Sequence, residues 1–165
     1  MSVRSAYEFW PVLNQRLRDR VATLTEAELA LQPSPDRWPL WASIGHLACQ
    51  RVFAFCDFAG EPGAETTRFT NASFDCPGDD DLEHVLSAAE LVEAIESTFR
   101  IIDGVLDRWT PESLDEVISR PEWDDDRRQT RGHLLSRSYA HDVWHVGELN
   151  ETLGRNRLVL IDPWS

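Results

Sequence analysis

The sequence predicts an all-α protein, a four-helix bundle formed by one domain that spans residues 1–165. Three observations predict it. Four long segments place apolar residues at helical spacing, breaks rich in proline or glycine separate them, and no set of segments has the alternation of a sheet. A chain of 165 residues can bury a core without disulfides or a structural metal. Long amphipathic helices without strands bury their apolar faces against one another, as in a bundle.

Residues with known positional preferences delimit each helix. The predicted helices cover residues 5–24, residues 40–59, a third segment ending at residue 109, and residues 130–153. In the first, Ser5 and Glu8 have the spacing of a capping box, but Pro11 requires a kink or a later start, because proline breaks a helix interior. The second has few polar residues, so we expect it to be largely buried and to end at Gly60.

The start of the third helix stays open, because two signals compete. Acidic residues at 79–81 favour a helix N-terminus, whereas Ser87 and Glu90 have the spacing of a capping box. The fourth helix is predicted to start near Thr130, with Gly154 as the cap at its C-terminus. The tail after it carries Leu158, Leu160 and Trp164, and we expect it to pack back on the bundle or to meet a partner.

Charge and composition exclude several classes of function. The sequence has 29 acidic residues and 16 basic ones, a formal net charge of −13. Binding to nucleic acid or to an anionic membrane requires clustered basic side chains, so we expect neither partner. No apolar stretch resembles a signal peptide or a membrane span. Three cysteines without a CxxC pair fit neither a disulfide framework nor a zinc ribbon, which predicts a cytoplasmic protein.

The segment His141-Asp-Val-Trp-His145 is the main candidate for chemistry. Residues four apart lie on one face of a helix, so both imidazoles can reach one metal ion. An isolated pair at this spacing is more often two structural histidines, each hydrogen-bonded to a carbonyl or a carboxylate. A zinc-peptidase motif does not fit, because Asp142 stands where the HExxH motif requires the longer Glu as its base.

His46 strengthens the metal hypothesis. It lies in the apolar second helix, where an imidazole without a partner is costly. One histidine from this helix and two from the fourth supply three nitrogen ligands and leave a coordination position open, as in catalytic zinc sites. A helical wheel places His46 beside the main apolar stripe of its helix. The three rings therefore meet only if the bundle turns that flank towards the fourth helix.

Two segments resemble the DinB-like superfamily, also called DinB/YfiT-like metalloenzymes, and the resemblance extends over nearly the whole chain. They are WPLWASIGHLACQRVF around His46 and RSYAHDVWHVGELNETLG around the pair. In that family an early helix supplies a histidine followed by Leu or Ile. The last helix supplies HxxxH followed by a small and a polar residue, here Gly147 and Glu148. The resemblance places the metal ligands at His46, His141 and His145.

The resemblance implies an up-down-down-up bundle that forms a single metal-binding domain, often a homodimer, with zinc, nickel or another divalent metal. Characterised relatives include thiol-dependent transferases and isomerases that use mycothiol or bacillithiol. The family name implies no DNA-binding chemistry. Relatives that act as maleylpyruvate isomerases carry an acidic ligand where this chain has His141, which weakens the transfer of that activity.

The leading hypothesis is a metal-dependent enzyme that acts on a small molecule as a thiol-dependent S-transferase or as a hydrolase. A divalent ion lowers the pKa of a water or of a thiol cofactor, and only the resemblance favours the thiol. Glu148 is the best candidate for a catalytic acid or base. The alternatives are a non-catalytic metal-binding or sensing protein and a dimerising helical module.

Other residues have both a functional and an ordinary interpretation. Cys49 is a candidate ligand or nucleophile, although a buried thiol is the more common role. Asp142 can orient an imidazole, and Arg137 can bind a substrate carboxylate unless it forms an exposed ion pair. His84 and His133 are predicted to lie at the surface. Three tryptophans lie near segments that can rim a pocket: Trp38, Trp41 and Trp123.

Overall fold

The computed structural model describes residues 2–69, 82–119, 128–162 and 164 of the chain. The α-helices in these residues are α1 Val3–Ala6, α2 Phe9–Val21, α3 Glu26–Leu29, α4 Leu40–Val52, α5 Ala88–Arg108 and α6 Arg131–Arg155. A π-helical turn, Phe53–Phe58, continues α4, and short 3-10 turns lie at Ala64–Thr66 and Glu112–Asp115. The strands β1 Val117–Ile118 and β2 Gln129–Thr130 form one antiparallel pair. Within these ranges no helix is both long and apolar enough to cross a membrane.

Two clusters of buried side chains fill opposite ends of the bundle and reveal the directions of its helices. One cluster draws on the first halves of α4 and α5 and on the later parts of α2 and α6. The other draws on the first turns of α2 and α6 and on the later parts of α4 and α5. Helices α4 and α5 are therefore parallel to each other and antiparallel to α2 and α6. This arrangement confirms the predicted up-down-down-up four-helix bundle.

Parallel neighbours need a connection that returns along the length of the bundle, and the chain between α4 and α5 supplies it. Phe69 is buried in the cluster at one end, and Leu86 in the cluster at the other. Near the start of this connection Gly63 has a φ of 123°, a conformation that favours glycine. A Cβ there would lie 2.9 Å from Ile101 Cγ1, so the close approach to α5 also requires glycine.

The start of α5 is decided by its capping box. The Ser87 hydroxyl accepts from the Glu90 backbone N–H, and the Glu90 carboxylate accepts from the Ser87 backbone N–H. Hydrogen bonds to the Glu90 carboxylate from the Ser87 backbone N–H and the Ser87 hydroxyl, together with one from Arg68, lower the pKa of Glu90 to about 2. The helix therefore begins at Ala88, and the competing signal at residues 79–81 lies outside the described residues.

Two predicted helix ends are wrong. The Ser5 and Glu8 capping box is absent: Ser2 caps the short α1, and Glu8 precedes α2 without a side-chain hydrogen bond to it. The later start at Phe9 leaves proline in the first turn, where its missing N–H removes no helical hydrogen bond. Gly154 does not end α6, which continues to Arg155.

The tail packs back on the bundle, which is one of the two alternatives predicted for it. Asn150 of α6 donates its side-chain amide to the Ile161 carbonyl at 2.9 Å and accepts from the Ile161 N–H at 2.7 Å. The Ile161 side chain is buried among residues of α2, α4 and α6. Trp164 stacks on Phe9, with ring centroids 4.8 Å apart, and remains largely exposed.

A buried ion pair joins the four long helices at the centre of the bundle. Arg51 of α4 donates to Asp142 Oδ2 of α6 from Nε at 3.0 Å and from Nη2 at 2.8 Å. Its Nη1 donates to the Asn14 side chain of α2 at 2.8 Å and to the Ile95 carbonyl of α5 at 3.3 Å. Trp10 of α2 donates a third hydrogen bond to the same carboxylate oxygen, at 2.7 Å. Both charged side chains are 2% exposed.

Asp142→Asn is expected to destabilise the fold strongly, because it leaves the Arg51 cation buried without a countercharge. Removing one partner of such a pair costs about 3–5 kcal/mol of the free energy of unfolding. Urea unfolding of the metal-free protein measures the loss. The matched control is Asp107→Asn, which breaks an exposed ion pair with Arg4 and should cost little stability, because water screens exposed ion pairs. Equal losses in the two variants would contradict the central role of the buried pair.

Candidate metal centre

Three imidazoles from two helices converge at one point. His46 comes from α4, and His141 and His145 come from adjacent turns of α6. His141 Nε2 lies 3.2 Å from His46 Nε2 and 3.1 Å from His145 Nε2. Tetrahedral zinc with bonds of about 2.0–2.1 Å separates neighbouring ligand nitrogens by about 3.3 Å. The spacing of the three nitrogens therefore suits a divalent ion held between them.

Hydrogen bonds among the rings do not account for this arrangement. An imidazole nitrogen carries either one proton or one lone pair, so His141 Nε2 can serve only one of its two close neighbours well. A cation at the centre would satisfy all three lone pairs at once. The convergence therefore favours a ligand set over the structural interpretation of the HxxxH pair.

The chemical state of His145 also fits a ligand. Burial, reinforced by the neighbouring His141 and His46, lowers the pKa of His145 to about 4, against a smaller opposite effect of Glu148. The ring is therefore neutral at neutral pH, as metal binding requires. The side chain of His141 is more open, with 25% of its surface exposed against 11% for His145. A ligand from solution would reach the centre on the His141 side.

Carboxylates lie behind the two rings of α6. Glu148 Oε2 is 2.9 Å from His145 Nδ1, a close contact without the alignment of a hydrogen bond. Asp142 Oδ1 is buried, lacks a hydrogen bond among the described residues, and lies 3.9 Å from His141 Nδ1. A histidine that binds metal through Nε2 carries its proton on Nδ1, and a nearby carboxylate usually accepts it. Both carboxylates stand where such acceptors are needed.

The buried ion pair explains why the flank of α4 that carries His46 faces α6. Arg51 lies five residues after His46, and its partner Asp142 directly follows His141. Burial of the Asp142 carboxyl, the largest single effect, would raise its pKa, but the Arg51 charge and the hydrogen bonds to the carboxylate together keep the pKa below its usual value. The charged pair therefore holds the rotation of both helices.

Comparison with known families agrees with this fold and this site. A family model described as the DinB superfamily matches residues 13–149. The chain belongs to the DinB superfamily. The matched region contains all three histidines. No curated protein matches the sequence.

Solved structures share the fold of this DinB-superfamily chain. A DinB-like protein from Bacillus cereus ATCC 10987 is 14% identical, with a TM-score of 0.69 over 93% of this chain and 92% of its own. A conserved protein from Enterococcus faecalis is 18% identical, with a TM-score of 0.67 over 93% of this chain and 99% of its own. At these identities the likeness concerns the fold alone.

Two cavities adjoin the histidines of this DinB-superfamily protein. One, of about 480 Å³, lies between the π-helical turn and the first half of α6, with His141 in its wall. The other, of about 660 Å³, lies between residues 33–43 and the second half of α6, with His145 in its wall. Both volumes fall in the range of small-molecule sites. Single π-helical turns within α-helices are frequent at functional sites, and this one forms part of the smaller cavity.

The other candidate residues have varied placements. Cys49 is buried and is half of a disulfide, so the expected free thiol is wrong. Burial raises the pKa of the free Cys56 thiol to about 11, which makes it a poor nucleophile. His84 and His133 are exposed, as predicted, but His133 also lines the smaller cavity. Arg137 lines it too and forms no ion pair with any described residue, against the default expectation.

The three tryptophans that the sequence placed near a pocket have different positions in the structure. Trp38 lies against His46, with ring centroids 5.2 Å apart, and lines the larger cavity. Trp41 is buried in the core, and Trp123 lies outside the described residues.

The pairing of Arg51 with Asp142 was not predicted from the sequence. The available signal was one arginine within a largely apolar helix, which requires a buried partner.

The metal-free protein is expected to lose stability as the pH falls from about 6.5 to about 4. The usual pKa of His145 is 6.5 and folding lowers it to about 4, so the unfolded chain binds more protons in this window. His145→Gln should reduce the slope of the unfolding free energy against pH there, measured by urea unfolding. The exposed His133→Gln serves as the control and should keep the wild-type slope. An unchanged slope in His145→Gln would contradict the neutral buried ring.

Proposed function

We propose that this DinB-superfamily protein is a metal-dependent enzyme in which His46, His141 and His145 hold a divalent ion, zinc or nickel. Its reaction is thiol-dependent S-transfer to a small molecule or hydrolysis of one. The observation that carries the proposal is the convergence of three imidazoles, one of which, His141, lines a cavity of about 480 Å³. Three protein ligands leave a position for water or substrate, as in catalytic sites, whereas structural zinc sites have four.

Different residues would bind the ion, position its ligands and exclude water from the substrate. The three imidazoles donate neutral nitrogens, and a divalent ion bound there lowers the pKa of a water or thiol that enters the site. Trp38 shields the ring of His46, and the buried network behind α6 keeps His141 and His145 in position. The apolar part of the smaller cavity, with Phe53, Phe58 and Leu134, excludes water from a bound substrate.

Glu148 is assigned two alternative roles. As a catalytic base, it would have to turn from His145 Nδ1 into the larger cavity, which it also lines. As a positioning residue, it would accept a hydrogen bond from Nδ1–H of His145 after a small reorientation and thereby fix Nε2 as the metal ligand. The contact of 2.9 Å between Glu148 Oε2 and His145 Nδ1 favours the positioning role.

Purified protein without an affinity tag is expected to carry about one divalent ion per chain, measured by elemental analysis after zinc and nickel are offered. The His46→Ala variant and the His141→Ala, His145→Ala double variant should lose it. The matched control is His133→Ala, an exposed histidine of the same helix, which should keep its metal. Metal absent from the parent protein would exclude the metalloenzyme and leave a helical bundle with packed histidines.

Glu148→Gln is expected to weaken metal affinity by about 10–100-fold, because outer carboxylates that orient a ligating histidine have effects of this size. Competition with a chromophoric chelator measures the affinity. Glu151→Gln is the control, since Glu151 lies one turn later and pairs only with the exposed Arg155 among the described residues. A Glu148→Gln variant with unchanged affinity but lost activity would instead establish Glu148 as a catalytic base.

A further inference from the structure

Two charges of opposite sign line the smaller cavity without a partner among the residues that the structure describes. Asp57, half-buried in the π-helical turn, and Arg137, exposed on α6, both belong to its wall. Neither forms an ion pair or a hydrogen bond with any described residue, and they do not pair with each other. In the part of the chain that the structure describes, Arg128 is the other cation of this wall, and it is engaged elsewhere.

Unpaired charges at this place need an explanation. The chain has 29 acidic side chains for 16 arginines, so an arginine has many carboxylates with which to pair. Arg4, Arg18 and Arg155 do so at the surface. A half-buried carboxylate without a partner, such as Asp57, loses hydration without compensation. Both groups keep their hydrogen-bonding capacity and line a cavity that His141 also lines.

The larger cavity differs in this respect. Its acidic groups already have partners: Asp36 accepts from Ser34, Glu148 contacts His145, and Glu151 pairs with Arg155. Arg37 is the cation left over in this wall among the described residues. The combination of one available cation and one available anion is therefore a property of the smaller cavity.

The remaining wall of the smaller cavity determines what else a ligand must carry. Its apolar surface comes from Phe53, Phe58 and Leu134, and its neutral polar groups include Gln50 and Ser138. A volume of about 480 Å³ accommodates a small molecule. A simple anion would use Arg137 but leave Asp57 as a repulsive neighbour. A simple cation would bind Asp57 but would be repelled by Arg137.

We propose that this cavity binds a small zwitterion with an apolar group, as in an α-amino acid. Arg137 binds the carboxylate in bidentate fashion, Asp57 binds the protonated amine, and the apolar group lies against the two phenylalanines. The inference rests on the proposed function, because it names the substrate class of the same site. The proposal places the ligand beside His141, whose side chain is more exposed than that of His145.

Titration calorimetry on the full-length protein tests the proposal. The probes are L-leucine, L-methionine and L-phenylalanine, each with the amine that lacks its carboxylate and the acid that lacks its amine. An amino acid should bind about tenfold more tightly than either matched compound, because each charged hydrogen bond contributes at least this much. Failure of all nine probes to bind at millimolar concentration, or equal affinity for acid and amino acid, would overturn the proposal.

Two variants assign the charges separately. Arg137→Gln should remove the advantage of the amino acid over its amine, whereas Asp57→Asn should remove its advantage over its acid. Arg37→Gln is the matched control, since Arg37 is also an exposed arginine but lines the larger cavity, and it should bind as the parent does. Loss of binding in Arg37→Gln alone would overturn the assignment to the smaller cavity.

Metal content is measured on the same samples, so that a failure of the metalloenzyme proposal can be distinguished from a failure of the zwitterion proposal. Metal-loaded protein without a preference for zwitterions overturns the present inference and leaves the metalloenzyme intact. Metal-free protein that still prefers zwitterions through Arg137 and Asp57 supports the binding site and excludes the metal-dependent reaction.

Discussion

The rest of the structure depends on the buried pair of Arg51 and Asp142. Its hydrogen bonds reach α2, α4, α5 and α6, so one guanidinium joins all four helices of the bundle. Charges buried this deeply are tolerated only when their partners are well placed. The Trp10 indole and the Asn14 amide complete that environment. Packing of apolar side chains alone would leave each helix freer to rotate, since hydrophobic contacts are not directional.

The position of this pair links the stability of the bundle to the geometry of the three-histidine cluster. Asp142 directly follows His141, and Arg51 lies on the same helix as His46. The interaction that fixes the rotation of α4 and α6 therefore also brings the three imidazoles together. The second carboxylate oxygen of Asp142, left without a hydrogen bond in the described structure, faces the His141 ring. One carboxylate thus contacts both the buried guanidinium and a histidine of the cluster.

The parallel arrangement of α4 and α5 has a second consequence. A long connection must leave the end of α4, and the helix changes there from α to π geometry before it stops. That change directs Phe53, Asp57 and Phe58 into the wall of the cavity beside His141. The cavity therefore lies where the regular α-helical geometry of α4 ends, beside His141.

Local patterns in the sequence were enough to predict the four long helices, the Ser87 box as one of two possible starts of the third, and the three candidate histidines. These depend on local spacing, and the HxxxH pair shares a face wherever its helix packs. Only the tertiary structure decided that His46 joins the pair, because a helical wheel does not show which flank of α4 faces α6. It also decided the partner of Arg51 and the unpaired state of Arg137. Such contacts join residues far apart in the chain, and their geometry arises only when the helices pack.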